Sequence, residues 1–263
     1  MTLQLLISTL DNGIERIPSM LLDPRDGISY LVSWQHSDGS AMESVPQALL
    51  RDDVTVLHLQ GRGLSRNRNN CIKHATADVC MIADDDCTYT HEDLTAVALI
   101  FATHRQLDIA TFKAHGTHTA YPEKNFNLAQ PAKNYHVTSF EIAFRRSSVQ
   151  GKLAFNELFG LGAPVLHCGE EEVFIHDAIA AGLKCEYYPA YAVTHNGLTT
   201  SSTRVGEAGT LKARGAFLYI DYPWTMIPRV FLISYRLHRD HGVPLLHAIS
   251  NMTAGILYIR KHL

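Results

Sequence analysis

Short apolar segments alternate with segments of helical spacing from the N-terminus to about residue 195. Consecutive apolar and β-branched residues indicate strands, and apolar residues repeated every three or four positions indicate helices. The predicted strands are Leu3–Ser8, Tyr30–Ser33, Val54–Leu59, Val79–Ala83, Ile109–Phe112, Ser139–Arg145, Lys184–Tyr188 and Ala192–Thr194. The predicted helices are Ile14–Leu22, Leu64–Ala75, a helix opened by Thr90 and reaching about His104, and Glu171–Ala181, which Gly182 ends. This order predicts an α/β fold with a mostly parallel, Rossmann-like sheet flanked by helices.

Three segments lack this alternation. Residues 114–137 are polar and aromatic without a clear period, and we expect a loop or flap there. Residues 199–209 are rich in Ser, Thr and Gly and predict a linker, whereas residues 222–263 are helical in character. The pattern therefore predicts an α/β domain over residues 1–198 and a helical C-terminal extension over residues 199–263.

Composition narrows the class of protein. The chain has 263 residues, of which 46% are hydrophobic and 19% charged, so a large core is available and disorder is not expected. A formal net charge of −3 gives no general attraction for nucleic acid. The five cysteines are scattered without a C-x-x-C pair, which suggests neither a zinc site nor a disulfide framework and favours reduced thiols in the cytoplasm. We expect neither a signal peptide nor a membrane span.

An acidic triplet, Asp84–Asp86, directly follows the apolar strand Val79–Ala83. Three adjacent carboxylates repel one another, and a hard divalent cation such as Mg²⁺ or Mn²⁺ would relieve that repulsion because it prefers oxygen ligands. Ligands of open α/β sheets bind beyond the carboxyl ends of the strands, which is where the triplet lies. The pattern indicates a metal–diphosphate site, and the alternative is a solvated acidic turn before the next helix.

Four motifs in order carry a family resemblance. The stretch Gly63–Asn69 resembles a G-L-S-x-A-R-N helix start, Ala83–Asp86 a D-x-D motif, and Cys168–Glu171 a G-E-D motif. A later glycine, a Tyr-Pro pair and a histidine follow at matching intervals, namely Gly182, Tyr188-Pro189 and His195. Over residues 3–196 the chain resembles the family 2 glycosyltransferases of the GT-A fold.

The resemblance implies an inverting, metal-dependent transfer of one sugar from a nucleotide-sugar to a hydroxyl group. It gives Glu171 the position of the catalytic base and Glu170 that of an acceptor-binding residue. Metal binding, by Mn²⁺ or Mg²⁺, is implied for Asp86, His195 and Asp84. Nucleotide-sugar binding is assigned to Thr9, Asp11, Gln35, Asp38, Arg66, Arg68, Asp84 and Asp85. The Q-x-x-R-W motif of processive members is absent, so a single transfer is expected.

Two positions depart from the family pattern. The usual base is Asp, whereas here it is Glu171, and the adjacent Glu172 leaves the assignment open by one residue. In the family the second strand usually ends in acidic residues that bind uracil, whereas this strand has no carboxylate at that place. Gln35 or Asp38 could take the role of the missing carboxylate. A UDP-sugar is the expected donor, with the base of the nucleotide left open.

The C-terminal tail suggests where the protein acts. From Tyr222 to Leu263 its five basic residues, against one acidic residue, interleave with aromatic and aliphatic side chains. Such a segment can lie on an anionic membrane, which suits a saccharide or lipid-linked acceptor in polysaccharide or glycolipid assembly at the inner face of the membrane. The alternative is helix packing within the chain or across a homodimer.

Two other functions compete with glycosyl transfer. A nucleotidyltransferase also uses acidic residues and a metal, but it begins with a glycine-rich basic loop, whereas Leu10–Gly13 has one glycine and no lysine. A non-catalytic sugar-binding or scaffold protein could keep the same fold. The intact triplet, Glu171 and His195 argue against that interpretation.

Overall fold

A computed structural model describes residues 1–37, 44–116, 120–133, 135–195 and 203–263. The chain divides into two units. The first unit comprises the described residues of Met1–Arg62, Arg66–Phe155 and Phe174–Gly197, and the second those of Gly63–Ser65, Asn156–Val173 and Leu198–Leu263. The predicted domain boundary, between residues 198 and 199, lies outside the described residues and stays a prediction.

Strands and helices alternate much as the sequence predicts. The strands are β1 Leu3–Leu10, β2 Ile28–His36, β3 Val54–Gln60, β4 Val79–Asp84, β5 Cys87–Thr88, β6 Ile109–His115, β7 Phe126–Asn127, β8 Ile142–Arg145 and β9 Cys185–His195. The α-helices are α1 Leu64–His74, α2 His91–Thr103, α3 Arg146–Val149, α4 Glu170–Ala180, α5 Ala208–Asp221, α6 Met226–His241 and α7 Leu245–Arg260. Short 3₁₀ helices cover Asp11–Met20, Gln47–Leu49 and Ser139–Glu141.

All of these strands form one sheet in the first unit, in the order β3-β2-β1-β4-β8-β6-β9-β5, with β7 also paired to β9. The four strands β3, β2, β1 and β4 are mutually parallel, and β6 is parallel to β9. Strand β8 joins the two groups through antiparallel pairings with β4 and β6. The predicted parallel, Rossmann-like core is therefore confirmed, with antiparallel strands inserted beside it.

Both faces of the sheet carry a hydrophobic core. On β1 the side chain of Leu5 packs into one core with Ile17 of the first 3₁₀ helix and Phe101 of α2. The next residue, Leu6, packs into the other core with Ile72 of α1. Because strand side chains alternate between faces, this split is what a sheet covered on both sides requires.

Several element predictions need correction. The predicted helix Ile14–Leu22 is a 3₁₀ helix containing Pro18, whose missing N–H cannot complete an α-helical ladder. The start of the predicted strand Ser139–Arg145 is a 3₁₀ turn, because the Glu141 carboxylate reaches back to accept a hydrogen bond from the Thr138 N–H. The two strands predicted around Pro189 are one strand, β9, which keeps its pairing with β6 through register shifts.

The loop and linker predictions hold only in part. The predicted flap includes the end of β6 and the short strand β7, and its residues 117–119 and 134 lie outside the described residues. The end of the predicted linker is already helical, since α5 begins at Ala208, and residues 199–202 lie outside the described residues. Within the described part of the chain no helix combines the length and hydropathy needed to cross a bilayer.

In the second unit α5 and α7 touch backbone to backbone. A Cβ added at Gly215 of α5 would lie 1.9 Å from the carbonyl oxygen of Met252, and one at Gly255 of α7 would lie 1.9 Å from the carbonyl oxygen of Lys212. Leu211 and Met252 complete the contact as buried core residues. Two glycines, one on each helix, therefore permit this approach.

Replacing Gly255 by Ala tests the close approach. Intrinsic helix propensity favours Ala over Gly by about 1 kcal/mol, but here the new methyl group would overlap a backbone carbonyl, and overpacking costs about 1–3 kcal/mol. We expect the free energy of unfolding, measured by chemical denaturation, to fall. Thr253→Ala, at an exposed position of the same helix, is the control and should leave stability equal or higher. A stabilised Gly255→Ala protein would contradict the packing.

Candidate active site

The candidate site lies at one edge of the sheet in the first unit. The carboxyl ends of β1, β4, β6 and β9 meet there because these four strands run in the same direction. Thr9 near the end of β1, Asp84 at the end of β4 and His195 at the end of β9 bring side chains to this edge, and Asp85 and Asp86 follow directly after β4. This is the edge at which open α/β sheets bind ligands.

Asp84 is paired with an arginine from the interior. The Nη2 atom of Arg68, on α1, lies 2.8 Å from Oδ1 of Asp84, and it also donates to Ser139 Oγ at 2.7 Å. The Ser139 hydroxyl donates in turn to Asp84 Oδ2 at 3.3 Å. The side chain of Arg68 is 1% exposed and that of Asp84 29%. A buried guanidinium needs such a partner, so this ion pair fixes the end of β4 to α1.

Asp85 turns toward the first connection of the chain. Its Oδ2 accepts a hydrogen bond from Thr9 Oγ1 at 2.6 Å, and Arg16 pairs with its Oδ1. A Cβ at Gly13 would lie 2.3 Å from both Asp85 Oδ2 and Thr9 Oγ1. Glycine at position 13 therefore leaves the space in which this carboxylate sits.

Asp86 is the exposed member of the triplet. Its side chain is 56% exposed, and its Oδ1 lies 3.5 Å from Nε2 of His195, whose side chain is 8% exposed. The imidazole stacks on Phe140 with ring centroids 4.6 Å apart, and its buried Nδ1 has no hydrogen-bond partner among the described residues. The ring therefore turns Nε2 toward Asp86 and keeps Nδ1 in the interior.

An imidazole nitrogen and a carboxylate form a donor pair that fits Mn²⁺, and the carboxylate also fits Mg²⁺. Within the residues that the structure describes, no three His, Cys, Asp or Glu side chains cluster as metal ligands. At this edge the described residues thus bring Asp86 and His195 together as a pair of donors, and such ions commonly complete their coordination with water and substrate phosphates.

Asp11 links the ends of β1 and β2. Its carboxylate accepts hydrogen bonds from the Ser37 backbone N–H at 2.8 Å and from the Ser37 hydroxyl, and these hydrogen bonds hold the pKa of Asp11 below its usual value. Its carbonyl oxygen accepts from Trp34 Nε1 at 2.8 Å. Gln35 of β2, which was predicted to contact the nucleotide base, is buried. Asp38, predicted for the same contact, lies outside the described residues.

The predicted basic residues of α1 differ in their surroundings. Arg66 is exposed, whereas Arg68 is buried against Asp84. Asn67, which the sequence analysis did not select, is buried and its Nδ2 donates to the Thr9 carbonyl at 3.0 Å. Asn67 and Arg68, the inward-facing residues of this turn of α1, therefore support the ends of β1 and β4.

The three successive glutamates open α4, with Glu170–Glu172 all in the second unit. Glu170 is 6% exposed, and a Cβ at Gly160 would lie 3.2 Å from its Cδ. Glu171 buries its Oε2 atom. Burial raises the pKa of Glu172, the charge of Arg214 opposes that rise, and the neighbouring Glu170 adds to it. At least one carboxylate of this turn is thus held in an environment that favours proton uptake near neutrality.

Glu141 is a buried carboxyl that sequence reasoning missed. It is 2% exposed, it accepts a hydrogen bond from the Tyr121 hydroxyl, and Oε2 accepts from the Thr138 N–H at 3.3 Å. Burial raises its pKa to about 7, although these hydrogen bonds oppose the rise. The Thr138-x-x-Glu141 spacing of a capping box was the available signal in the sequence.

Replacing Glu141 by Gln should change the pH dependence of stability. Because the native pKa of about 7 exceeds the ordinary value of 4.5, the native state binds more protons than the unfolded chain between these pH values, and stability falls as pH rises through them. The Gln variant lacks this loss. We expect its stability relative to the parent to increase from pH 5 to pH 8 by at most about 3 kcal/mol, measured by urea unfolding. The exposed Glu15→Gln is the control, and parallel pH profiles for Glu141→Gln and the parent would refute the shift.

Comparison with known proteins agrees with this fold. Residues 37–152 match the profile of glycosyl transferase family 2. TarS 1-349 of S. aureus is similar over 100% of this chain and 92% of that chain, with 14% identity and a TM-score of 0.60. Its complex with UDP-GlcNAc gives 16% identity and a TM-score of 0.56, again over 100% and 92% of the two chains. This chain spans 44% of the longer TarS chain.

Another solved structure comes from a different organism. The mannosyltransferase PcManGT from Pyrobaculum calidifontis, in complex with GDP-Man and Mn²⁺, is 13% identical, with a TM-score of 0.53 over 98% of this chain and 75% of that chain. No curated protein matches the sequence significantly. At these identities the structural likeness establishes the fold. Residues 37–152 thus carry the match to glycosyl transferase family 2, and the chain as a whole shares the fold of these solved structures.

Proposed function

We propose that this protein transfers one sugar from a UDP-sugar to an acceptor hydroxyl with inversion, assisted by Mn²⁺ or Mg²⁺. The observation that carries the proposal is the approach of Asp86 to His195, whose Oδ1 and Nε2 atoms lie 3.5 Å apart although the two residues are distant in sequence. This pair stands at the sheet edge that also carries Thr9, Asp84 and Asp85. Acidic residues and an imidazole at that edge suit the binding of a metal and a diphosphate.

The residues of the first unit would bind and orient the donor. Asp86 and His195 would hold the divalent ion, which neutralises negative charge on the departing diphosphate when bound. Asp84 and Asp85 would line the donor site, with Asp84 oriented by Arg68 rather than free to turn. Arg16, whose side chain is 58% exposed, and the exposed Arg66 provide positive charge for phosphate oxygens.

The nucleoside would lie near the ends of β1 and β2. Polar contacts to the nucleoside would come from Asp11, which Ser37 holds in place, and from Gln35. We also assign Asp38 to nucleoside binding. A solved neighbour binds UDP-GlcNAc and another binds GDP-Man, so the fold accommodates both kinds of donor. We favour UDP.

The acceptor would be activated from the first turn of α4. A carboxylate within hydrogen-bond reach of the acceptor hydroxyl takes its proton as the oxygen attacks the anomeric carbon. We assign this role to Glu171 and acceptor binding to Glu170, with Glu172 as the alternative base. Direct attack displaces the nucleotide from the opposite side, which inverts the anomeric carbon and needs no carboxylate nucleophile. A saccharide or lipid-linked saccharide acceptor in cytoplasmic polysaccharide or glycolipid assembly fits this reaction.

Nucleotide binding tests the donor site. In calorimetric titrations with Mn²⁺ present, we expect the protein to bind UDP, and chelator or Asp86→Ala to weaken binding by about tenfold or more, since one of two protein ligands is lost. Asp52→Ala removes an exposed carboxylate elsewhere in the same unit and should bind like the parent.

The outcomes of this titration are distinct. Preference for GDP would keep the transferase and revise the donor. Binding that is insensitive to metal and to Asp86→Ala would refute the metal assignment. Failure to bind either nucleotide under any metal condition would remove the transferase proposal.

Single substitutions of the three glutamates locate the base. Glu171→Gln should lower kcat by about 10²–10⁴-fold, because general-base catalysis contributes that much, while the affinity for UDP stays unchanged. Glu170→Gln should mainly raise the KM for the acceptor. The readout is donor turnover with a panel of saccharide acceptors, and the retained UDP affinity shows that each variant is folded. A loss of kcat confined to Glu172→Gln would move the base by one residue, and turnover unaffected by all three would exclude this turn.

A further inference from the structure

Phe140 covers one face of the His195 imidazole. The two ring centroids are 4.6 Å apart and the ring planes are 11° from parallel, so the rings are stacked. Phe140 is buried, and the side chain of His195 is 8% exposed. Turning the imidazole about its Cβ–Cγ bond would bring the ring edge against the Phe140 ring, so the stack holds the direction of both ring nitrogens.

A hydrogen bond usually performs this task in metal-binding histidines. The ring nitrogen that does not bind the metal donates to a carboxylate, a carbonyl or water, which fixes the tautomer and the ring orientation. Nδ1 of His195 is buried and has no such partner in the part of the chain that the structure describes, whereas Nε2 lies 3.5 Å from Oδ1 of Asp86. Stacking on Phe140 therefore takes the place of that hydrogen bond.

The Phe140 ring is itself held firmly, because its two neighbours in the 3₁₀ helix are anchored. The Ser139 hydroxyl donates to Asp84 Oδ2 at 3.3 Å, and the Glu141 carboxylate accepts a hydrogen bond from the Tyr121 hydroxyl. All three residues of this turn are buried. A ring carried on a backbone that is fixed on both sides is a rigid surface, as the positioning of a functional group requires.

We propose that Phe140 is a positioning residue for His195, whose imidazole it holds with Nε2 toward Asp86 so that both side chains can bind one divalent ion. The inference rests on the proposed function, because it concerns how the chain prepares a ligand for that ion. Phe140 touches neither the ion nor the substrate in this role. It acts through His195, and the loss of such an outer partner commonly costs about 10- to 100-fold in metal affinity.

Phe140→Leu tests this role because it keeps an apolar side chain and removes the stacking ring. We expect it to weaken the binding of Mn²⁺ to the intact protein in the presence of UDP by about 10- to 100-fold in calorimetric titrations. Phe140→Tyr keeps the ring and should bind Mn²⁺ like the parent. Phe112→Leu is the matched control, since Phe112 is buried in the same core but pairs with Tyr188, at 6.4 Å between ring centroids. It should lower the temperature of thermal unfolding and keep the Mn²⁺ affinity.

The stack itself is measured without metal. In proton–carbon correlation NMR spectra of the metal-free protein, the ring current of Phe140 should shift the ring protons of His195 upfield, with their signals assigned by His195→Gln. This shift should disappear in Phe140→Leu and persist in Phe112→Leu. The dispersion of the remaining signals shows that each variant is folded.

The outcomes separate the inference from the proposed function. Equal His195 shifts in the parent and Phe140→Leu, or equal Mn²⁺ affinities of the parent and folded Phe140→Leu, would overturn the positioning role and leave the proposed metal site standing. An equal loss of affinity in Phe112→Leu and Phe140→Leu would assign the effect to the core and overturn the role as well. A parent protein that shows the His195 shift but binds no Mn²⁺ with UDP would refute the metal assignment of the proposed function, and with it this role of the stack.

Discussion

The pairing of β1 with β4 is the constraint on which the first unit depends. Its parallel register runs from Leu3 opposite Val79 to Ser8 opposite Asp84. Because strand side chains alternate, a slip by one residue would turn Met81 toward the core that Cys80 and Ile82 now fill, and would turn those two residues toward the core of Met81. The register that satisfies the core is also the one that leaves Thr9 next to Asp85, 2.6 Å apart. Hydrophobic packing thereby sets the position of the acidic triplet.

The three carboxylates of the triplet each have a different partner. Asp84 pairs with the buried Arg68 and Asp85 with Arg16, so two of the three carboxylates meet permanently charged guanidinium groups. Asp86 meets His195, and a neutral imidazole is a side chain of the kind that commonly binds metals. Asp86 is therefore the carboxylate of the triplet that lacks a permanently charged partner, and a bound cation would neutralise its charge. This division explains how three adjacent carboxylates coexist, and it supports giving the metal to the last of them.

Sequence patterns predicted the features that arise from local chemistry. Runs of apolar residues located the core strands, the Thr90–Asp93 capping box located the start of α2, and the strand–triplet order located the candidate site. Features that depend on distant partners were not predictable. Arg68 lies on a polar helix start, yet it is buried because Asp84 and Ser139 receive it. Helix α5 has a weak apolar period, since close contact with α7 replaces the usual large side chains with Gly215.

The sequence motif alone does not decide which of the three glutamates of α4 is the catalytic base. Successive helical residues project about 100° apart, so an uncertainty of one residue in the motif becomes a difference in direction. Glu170 is buried beside Gly160, Glu171 buries one oxygen, and Glu172 interacts with Arg214. A base must reach the acceptor hydroxyl and be ionised when it does so, and three environments of such different charge and burial do not serve that need equally. The identity of the catalytic base thus depends on the direction in which each glutamate side chain projects from α4, and the amino-acid sequence alone does not give that direction.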